Sequence, residues 1–173
     1  MNIKLCFLAP SEYGKNTAVN ILKKHYKIKN IKLAKPLYTL QKRFYKFIHV
    51  KMTGEQDGEL LQYLGKKIRA EQPHFIINKF KKQLKKYRNY KGFITNDDCR
   101  TPDYDELKKL GFIFIKINGF KRNRPDHTKS DSTSNLEWHN NIPYDFQVDN
   151  MGTLIEYERN LLSLIKNILE RSK

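Results

Sequence analysis

Between Ile3 and Tyr26 the chain passes from an apolar run, through a turn holding Gly14 and Lys15, into apolar residues at helical spacing, and this order restricts the fold more than any other stretch. Ile3, Leu5, Cys6, Phe7 and Leu8 are strand formers in a run short enough for a fully buried strand, which Pro10 ends. Val19, Ile21, Leu22 and Tyr26 then fall on one face of a helix. Strand, loop, Gly-Lys and helix is the order of a phosphate-binding loop. A helix N-terminus offers unpaired backbone N–H groups and the positive end of a dipole, and a lysine beside it adds a mobile charge. Against G-x-x-x-x-G-K-[ST], Ala9 to Asn16 matches at Gly14 and Lys15, with Ala9 at the first glycine and Asn16 at the hydroxyl position. An ordinary strand-to-helix turn with a left-handed Gly14 and a solvated Lys15 would use the same residues.

A chain of 173 residues suits one domain. No run of eighteen apolar residues suggests a membrane span, and the N-terminus does not read as a signal peptide, so the expectation is a cytoplasmic protein. Cys6 and Cys99 each lie in or beside an apolar strand and read as small buried hydrophobes rather than a disulfide or a metal pair. His127 and His139 have no Cys or His partner at metal spacing.

The formal charge of +16 would attract any polyanion without choosing among them. Part of it is what an AT-rich coding sequence would give, since Lys, Asn, Ile and Tyr are abundant together. In the Lys-dense segment Lys79 to Tyr87, the apolar face Ile76, Ile77, Phe80, Leu84 and Tyr87 leaves the lysines on the other side as a solvated surface. No aromatics alternate with them there, so nucleic acid is the weaker candidate partner.

Beyond the first helix the pattern alternates. Ile31 to Ala34 predicts a short strand, Leu37 to Val50 a helix, and Met52 to Asp57 a loop. Gly58 to Ala70 and Pro73 to Tyr90 predict two helices, the second with proline in its first turn. Gly92 to Asn96 is a strand closed by Asp97 and Asp98, Tyr104 to Leu110 a helix stopped by Gly111, and Phe112 to Ile117 an unbroken apolar strand. Asp145 to Asp149 is a last strand, and Leu154, Tyr157, Leu161, Ile165 and Ile168 stripe a C-terminal helix. Unbroken apolar strands separated by helices predict an α/β fold, a mostly parallel five-stranded sheet with helices on both faces. The polar segment Gly119 to Asn135, with Lys121, Arg122, Arg124 and Lys129, interrupts the pattern as a lid or a disordered loop would.

Five stretches, in order, resemble the deoxynucleoside monophosphate kinases of the phage type, a P-loop family. Tyr13-Gly14-Lys15-Asn16-Thr17-Ala18 is similar to that family's Ser-Gly-Lys-Asp-Thr-Ala, and Leu33-Ala34-Lys35-Pro36-Leu37 to its segment after the second strand. Leu60-Leu61-Gln62-Tyr63-Leu64-Gly65 with Arg69 and Pro73 resembles its substrate-side helix, and Asp98-Cys99-Arg100 with Pro102 its Asp-x-Arg. Asp126-His127, Ser130-Asp131 and Val148 to Leu154 resemble its closing stretch.

The resemblance implies a three-layer P-loop fold over residues 1–173, with helices that bind the monophosphate at about 35–90 and a mobile lid at about 119–135. It implies ATP and Mg²⁺ as cofactors, small nucleotides as partners, and transfer of a phosphoryl group from ATP to a deoxynucleoside monophosphate. Such chemistry is mostly positioning and charge stabilisation. Lys15 with the backbone of Tyr13, Gly14, Lys15, Asn16 and Thr17 would hold the ATP phosphates. Arg69 and Arg100 would clamp the monophosphate with planar forks, with Lys35 and Gln62 also on the acceptor side and Phe75 or Tyr63 stacking on the base. Arg122 and Arg124 would close over the transferring group. Asp98 would orient Mg²⁺ through water, with Asp97 as its substitute. A nucleotide-binding protein that has lost catalysis, motivated by Ala9 and Asn16, and a basic nucleic-acid-binding module are the alternatives.

Overall fold

The computed structural model describes residues 2–52, 54, 56–120 and 141–171. They fall into two compact units, a sheet unit made of residues 2–30, 89–120 and 141–171 and a helical unit made of Ile31–Arg88.

In the sheet unit five strands pair in the order β2-β3-β1-β4-β5, all parallel: β1 (Asn2–Leu8), β2 (Ile28–Asn30), β3 (Gly92–Asn96), β4 (Phe112–Gly119) and β5 (Phe146–Asn150). β1 is the middle strand because its residues are apolar on both faces, and a strand flanked on both sides needs no polar edge. Leu5 pairs with Thr95 of β3 and Ile113 of β4, and its side chain is fully buried.

Helix α1 (Lys15–His25) and the C-terminal helix cover one face of the sheet. Ala18, Val19, Ile21 and Leu22 from α1 join Leu5, Phe7, Phe93, Ile115, Ile117 and Val148 from the strands in a single core. Tyr157, Leu161, Ile165 and Ile168 complete it from the C-terminal helix Leu154–Arg171, as their spacing predicts, whereas Leu154 itself is exposed. That helix starts with a reciprocal capping box. Thr153 N–H donates to Glu156 Oε2 at 2.7 Å, and Glu156 N–H donates to Thr153 Oγ1 at 3.2 Å. The opposite face, where Phe114 points, receives Tyr104 at 4.4 Å between ring centroids. Tyr104 opens a short helix (Tyr104–Lys109) that ends where Gly111 turns left-handed. Both cysteines are buried and free, and burial, then the adjacent Cys99 thiol, pushes the Cys6 thiol well above its ordinary range.

The second strand corrects the sequence reading, since it lies at Ile28–Asn30 rather than Ile31–Ala34. Only Ile31 to Leu33 alternates, and pairing places the strand at the other segment: Ile28 aligns with Phe93 and Asn30 with Thr95. Ile31 and Leu33 are buried outside the sheet instead.

The helical unit contains α2 (Lys35–Phe47), α3 (Gly58–Glu71) and α4 (Phe75–Lys85). The reading of a helix over Pro73–Tyr90 was too long at both ends. Pro73 lies in the preceding turn, and beyond Lys85 the chain tightens into three-residue turns, such as Tyr87 N–H to Leu84 O at 2.9 Å. On α4, Ile76, Ile77, Phe80 and Leu84 are buried, and Lys79, Lys82 and Lys85 are exposed. Asp57 caps α3 by accepting from Leu60 N–H at 3.0 Å and also accepts the Tyr45 hydroxyl at 2.8 Å. Buried Gln41 accepts from Asp57 N–H at 2.9 Å, which ties the loop before α3 back to α2.

Two outcomes follow. His49, exposed just beyond α2 at φ 57°, occupies a left-handed position that suits glycine, so His49→Gly should raise stability by about 0.5–1 kcal/mol. The thermal midpoint should rise by about 2–4 °C per kcal/mol; a fall would refute the strain. The Leu60 N–H, then the Tyr45 hydroxyl, hold the Asp57 carboxyl below its ordinary range, so its stabilisation is complete above the unfolded value and is lost as pH falls through the folded one. Urea melts of Asp57→Ala should show a loss of about 1 kcal/mol at pH 7. The gap from the unmutated chain should narrow below about pH 4.

Candidate functional site

Parallel strands leave their carboxyl ends open at one edge of a sheet, and ligands of open α/β sheets bind there. β1 ends at Leu8 between β3 and β4, and the chain must reverse within six residues to begin α1 at Lys15. Two left-handed residues make that turn, Glu12 at φ 67° and Gly14 at φ 97°. Gly14 is the N-cap of α1, its carbonyl accepting Ala18 N–H at 2.9 Å. The first turn of α1 itself has no acidic residue. Lys15 lies over the turn, its ammonium donating to Ala9 O and Pro10 O, both at 2.5 Å. This arrangement can hold an anion: backbone donors at a helix start and an ammonium already turned towards the same loop.

Tyr13, Gly14, Lys15, Asn16 and Thr17 thus share one turn, with Asn16 exposed and Thr17 half-buried. Asp97 and Asp98 follow β3, the neighbour of β1. Asp97 is buried and accepts from Asn30 Nδ2 at 3.2 Å, while Thr95 Oγ1 donates to Asn30 Oδ1 at 3.1 Å. Asp98 is half-buried and accepts from Asn96 Nδ2 at 2.7 Å. Arg100 is half-buried at the start of the turn Thr101–Asp103. Among the described residues no three Asp, Glu, His or Cys side chains gather as a metal-binding group.

In the helical unit, Gln62 and Arg69 are two helical turns apart on α3 and share a face. Gly65 sits between them. A Cβ there would come within 3.3 Å of Arg69 Nη1 and 3.4 Å of Leu37 Cδ1, so the missing side chain makes room for the guanidinium and for α2. Lys35 opens α2 and is exposed, as are Gln62 and Tyr63. Phe75 lies under the Lys79 ammonium at 5.3 Å and lines an open groove of about 420 Å³ with His74, Asn78 and Lys82. Arg122 and Arg124, and with them Lys121, His127, Lys129, His139 and most of the segment 119–135, lie outside the described residues.

Sequence reasoning gave no role to three residues that shape the turn. Glu12 sits inside it with a left-handed backbone. Asn150, at the end of β5, donates to Tyr13 O at 3.1 Å, and Tyr157 donates its hydroxyl to Gly14 O at 3.3 Å. Tyr157 was visible only as one member of an apolar stripe.

No protein-family model matches the sequence, and no curated relative does. Among solved structures the chain is similar to dephospho-CoA kinase from Campylobacter jejuni, at 16% identity and a TM-score of 0.60, over 100% of both chains. A gluconokinase from Sinorhizobium meliloti 1021 aligns at 15% identity and a TM-score of 0.41, over 99% of this chain and 97% of the other. The fold, a five-stranded parallel sheet with helices around it, is shared with that dephospho-CoA kinase. No described helix is long and apolar enough to cross a membrane.

Glu12 puts a carboxylate into a turn otherwise suited to anions. Replacing Glu12 with glycine should strengthen binding of inorganic tripolyphosphate about three- to tenfold, measured calorimetrically at low salt, as removal of a nearby like charge implies. Weaker binding would show that the carboxylate supports the loop instead.

Proposed function

We propose that this chain is an ATP-dependent phosphotransferase that converts a deoxynucleoside monophosphate to the diphosphate. The observation that carries the reading is the turn after β1, where a left-handed Gly14 opens α1 and Lys15 reaches back over the loop. A P-loop kinase fold surrounds that turn, and the neighbour of similar fold is named as a kinase, which supports phosphoryl transfer as the chemistry. The choice of a nucleoside monophosphate as acceptor rests on the resemblance of the segments around Gln62, Arg69 and Arg100.

In this reading the chain is one kinase domain, and its helical unit, Ile31–Arg88, is the acceptor-binding insertion. Lys15 and the N–H groups of residues 14–17 hold the β and γ phosphates of ATP. Arg69, Arg100, Lys35 and Gln62 take the acceptor, Arg69 and Arg100 by two-pronged hydrogen bonds to its phosphate. Phe75 or Tyr63 meets the base, and Arg122 and Arg124 stabilise the transferring group. The donor set fits Mg²⁺ held mainly by phosphate and water, since Asp98 and Asp97 stand at the end of β3 and no further carboxylate, histidine or cysteine among the described residues forms a metal-binding group with them. Bound there, the ion would supply charge neutralisation between the phosphates, and Asp98 would orient its water.

A second reading, nucleotide binding without transfer, is favoured by one observation, the exposed Asn16 where the phosphate-loop pattern has a hydroxyl. Release of ADP from ATP, followed across a panel of deoxy and ribo monophosphates with dephospho-CoA included, separates the two. The expected result is ADP release that requires a deoxymonophosphate and falls about 10²–10³-fold in Lys15→Ala. Unchanged turnover in Lys15→Ala would end the phosphate-loop assignment, and ATP binding without release under any acceptor would establish the second reading.

A further inference from the structure

We infer that Asn150 and Tyr157 are positioning residues that aim the anion-binding N–H groups of the turn, an inference that rests on the phosphate-loop reading above. In a trans peptide the carbonyl and the following N–H point in opposite directions, so a group that holds one aims the other. Asn150 Nδ2 holds the Tyr13 carbonyl at 3.1 Å, which turns the Gly14 N–H away from β5. The Tyr157 hydroxyl, at 3.3 Å, and the Ala18 N–H, at 2.9 Å, both hold the Gly14 carbonyl, which turns the Lys15 N–H back along the helix axis. Two consecutive donors of the turn are thereby fixed before any ligand arrives, and donors already in place need no reorganisation on binding.

The surroundings show that this is a built contact. Asn150 is 2% exposed and Tyr157 1%, so neither bond competes with bulk water. Gly14 makes space for the carboxamide, since a Cβ there would collide with Asn150 Nδ2. A polar carboxamide buried against a residue that lacks a side chain, with its amide directed at a loop carbonyl 137 residues earlier, is hard to explain by packing alone. An apolar residue of similar size would fill the space without a donor.

The test uses the full ¹⁵N-labelled chain with ATP and inorganic tripolyphosphate as probes. In the unmutated chain tripolyphosphate should shift the Gly14 and Lys15 amide protons downfield. Asn150→Ala should weaken ATP about five- to tenfold and Tyr157→Phe about two- to fivefold, the loss of one hydrogen bond each. Both should reduce those two amide shifts while leaving the Leu161 amide in place, which a general loss of structure would not do. Tyr157→Phe keeps the buried ring, so it carries the test alone if Asn150→Ala does not fold. Variants that bind ATP as the unmutated chain does, with the amide shifts retained, would overturn the inference alone. Failure of the unmutated chain to bind ATP or tripolyphosphate would overturn the phosphate-loop reading together with it.

Discussion

The structure depends on one strand having no free edge. β1 is hydrogen-bonded on both sides and buried on both faces, so the chain can leave it only at the carboxyl end of the sheet. There it must turn sharply enough for α1 to pack Ala18, Val19 and Leu22 back onto Leu5 and Phe7. The sharp turn requires left-handed backbone, which the chain places at Glu12 and Gly14. Its consequence is a row of helix-start N–H groups at the same edge where β3 delivers Asp97, Asp98 and Arg100. The hydrophobic demand on β1 and the chemical capacity of the turn therefore have a common origin.

The Lys15 ammonium meets the carbonyls of Ala9 and Pro10, dipoles that an incoming phosphate can outcompete because it carries full charge. At the other end of α1, Lys23, Lys24 and His25 occupy the negative end of the dipole, and His25 meets Glu158 at 2.7 Å. Basic residues thus serve opposite purposes along one helix, and a net charge of +16 alone could not separate them.

The sequence was informative where local chemistry decides the outcome. Gly92 to Asn96 was legible as a strand because five consecutive residues have no competing register, and Gly111 was legible as a stop because a left-handed residue ends the preceding helix. β2 was not, since Ile31 and Leu33 alternate with Lys32 while Ile28 to Asn30 holds a single apolar residue, and only pairing with Phe93 to Thr95 places the strand there. The turn at Gly14 was legible from its own six residues. Its bonds to Asn150 and Tyr157 were not, because a hydrogen bond across 137 or 143 residues leaves no periodic trace in the chain.

The two departures from the phosphate-loop pattern differ in weight once their surroundings are known. Ala9 is 2% exposed and belongs to the core with Phe7 and Val19, so its methyl faces inward and takes no room from the loop. Glycine is needed at the first position of such a pattern only where the backbone must be left-handed or closely approached, and in this chain the left-handed backbone occurs at Glu12 and Gly14 instead. Gly14 is different: a Cβ would meet both its own positive φ and the Asn150 amide. Asn16 lies on the exposed side of the first helical turn, where a hydroxyl would otherwise meet a metal ion. A carboxamide oxygen there can still accept from a metal-bound water, but from a longer side chain. The departure that bears on phosphoryl transfer is therefore the one at Asn16, and the shape of the loop does not depend on the one at Ala9.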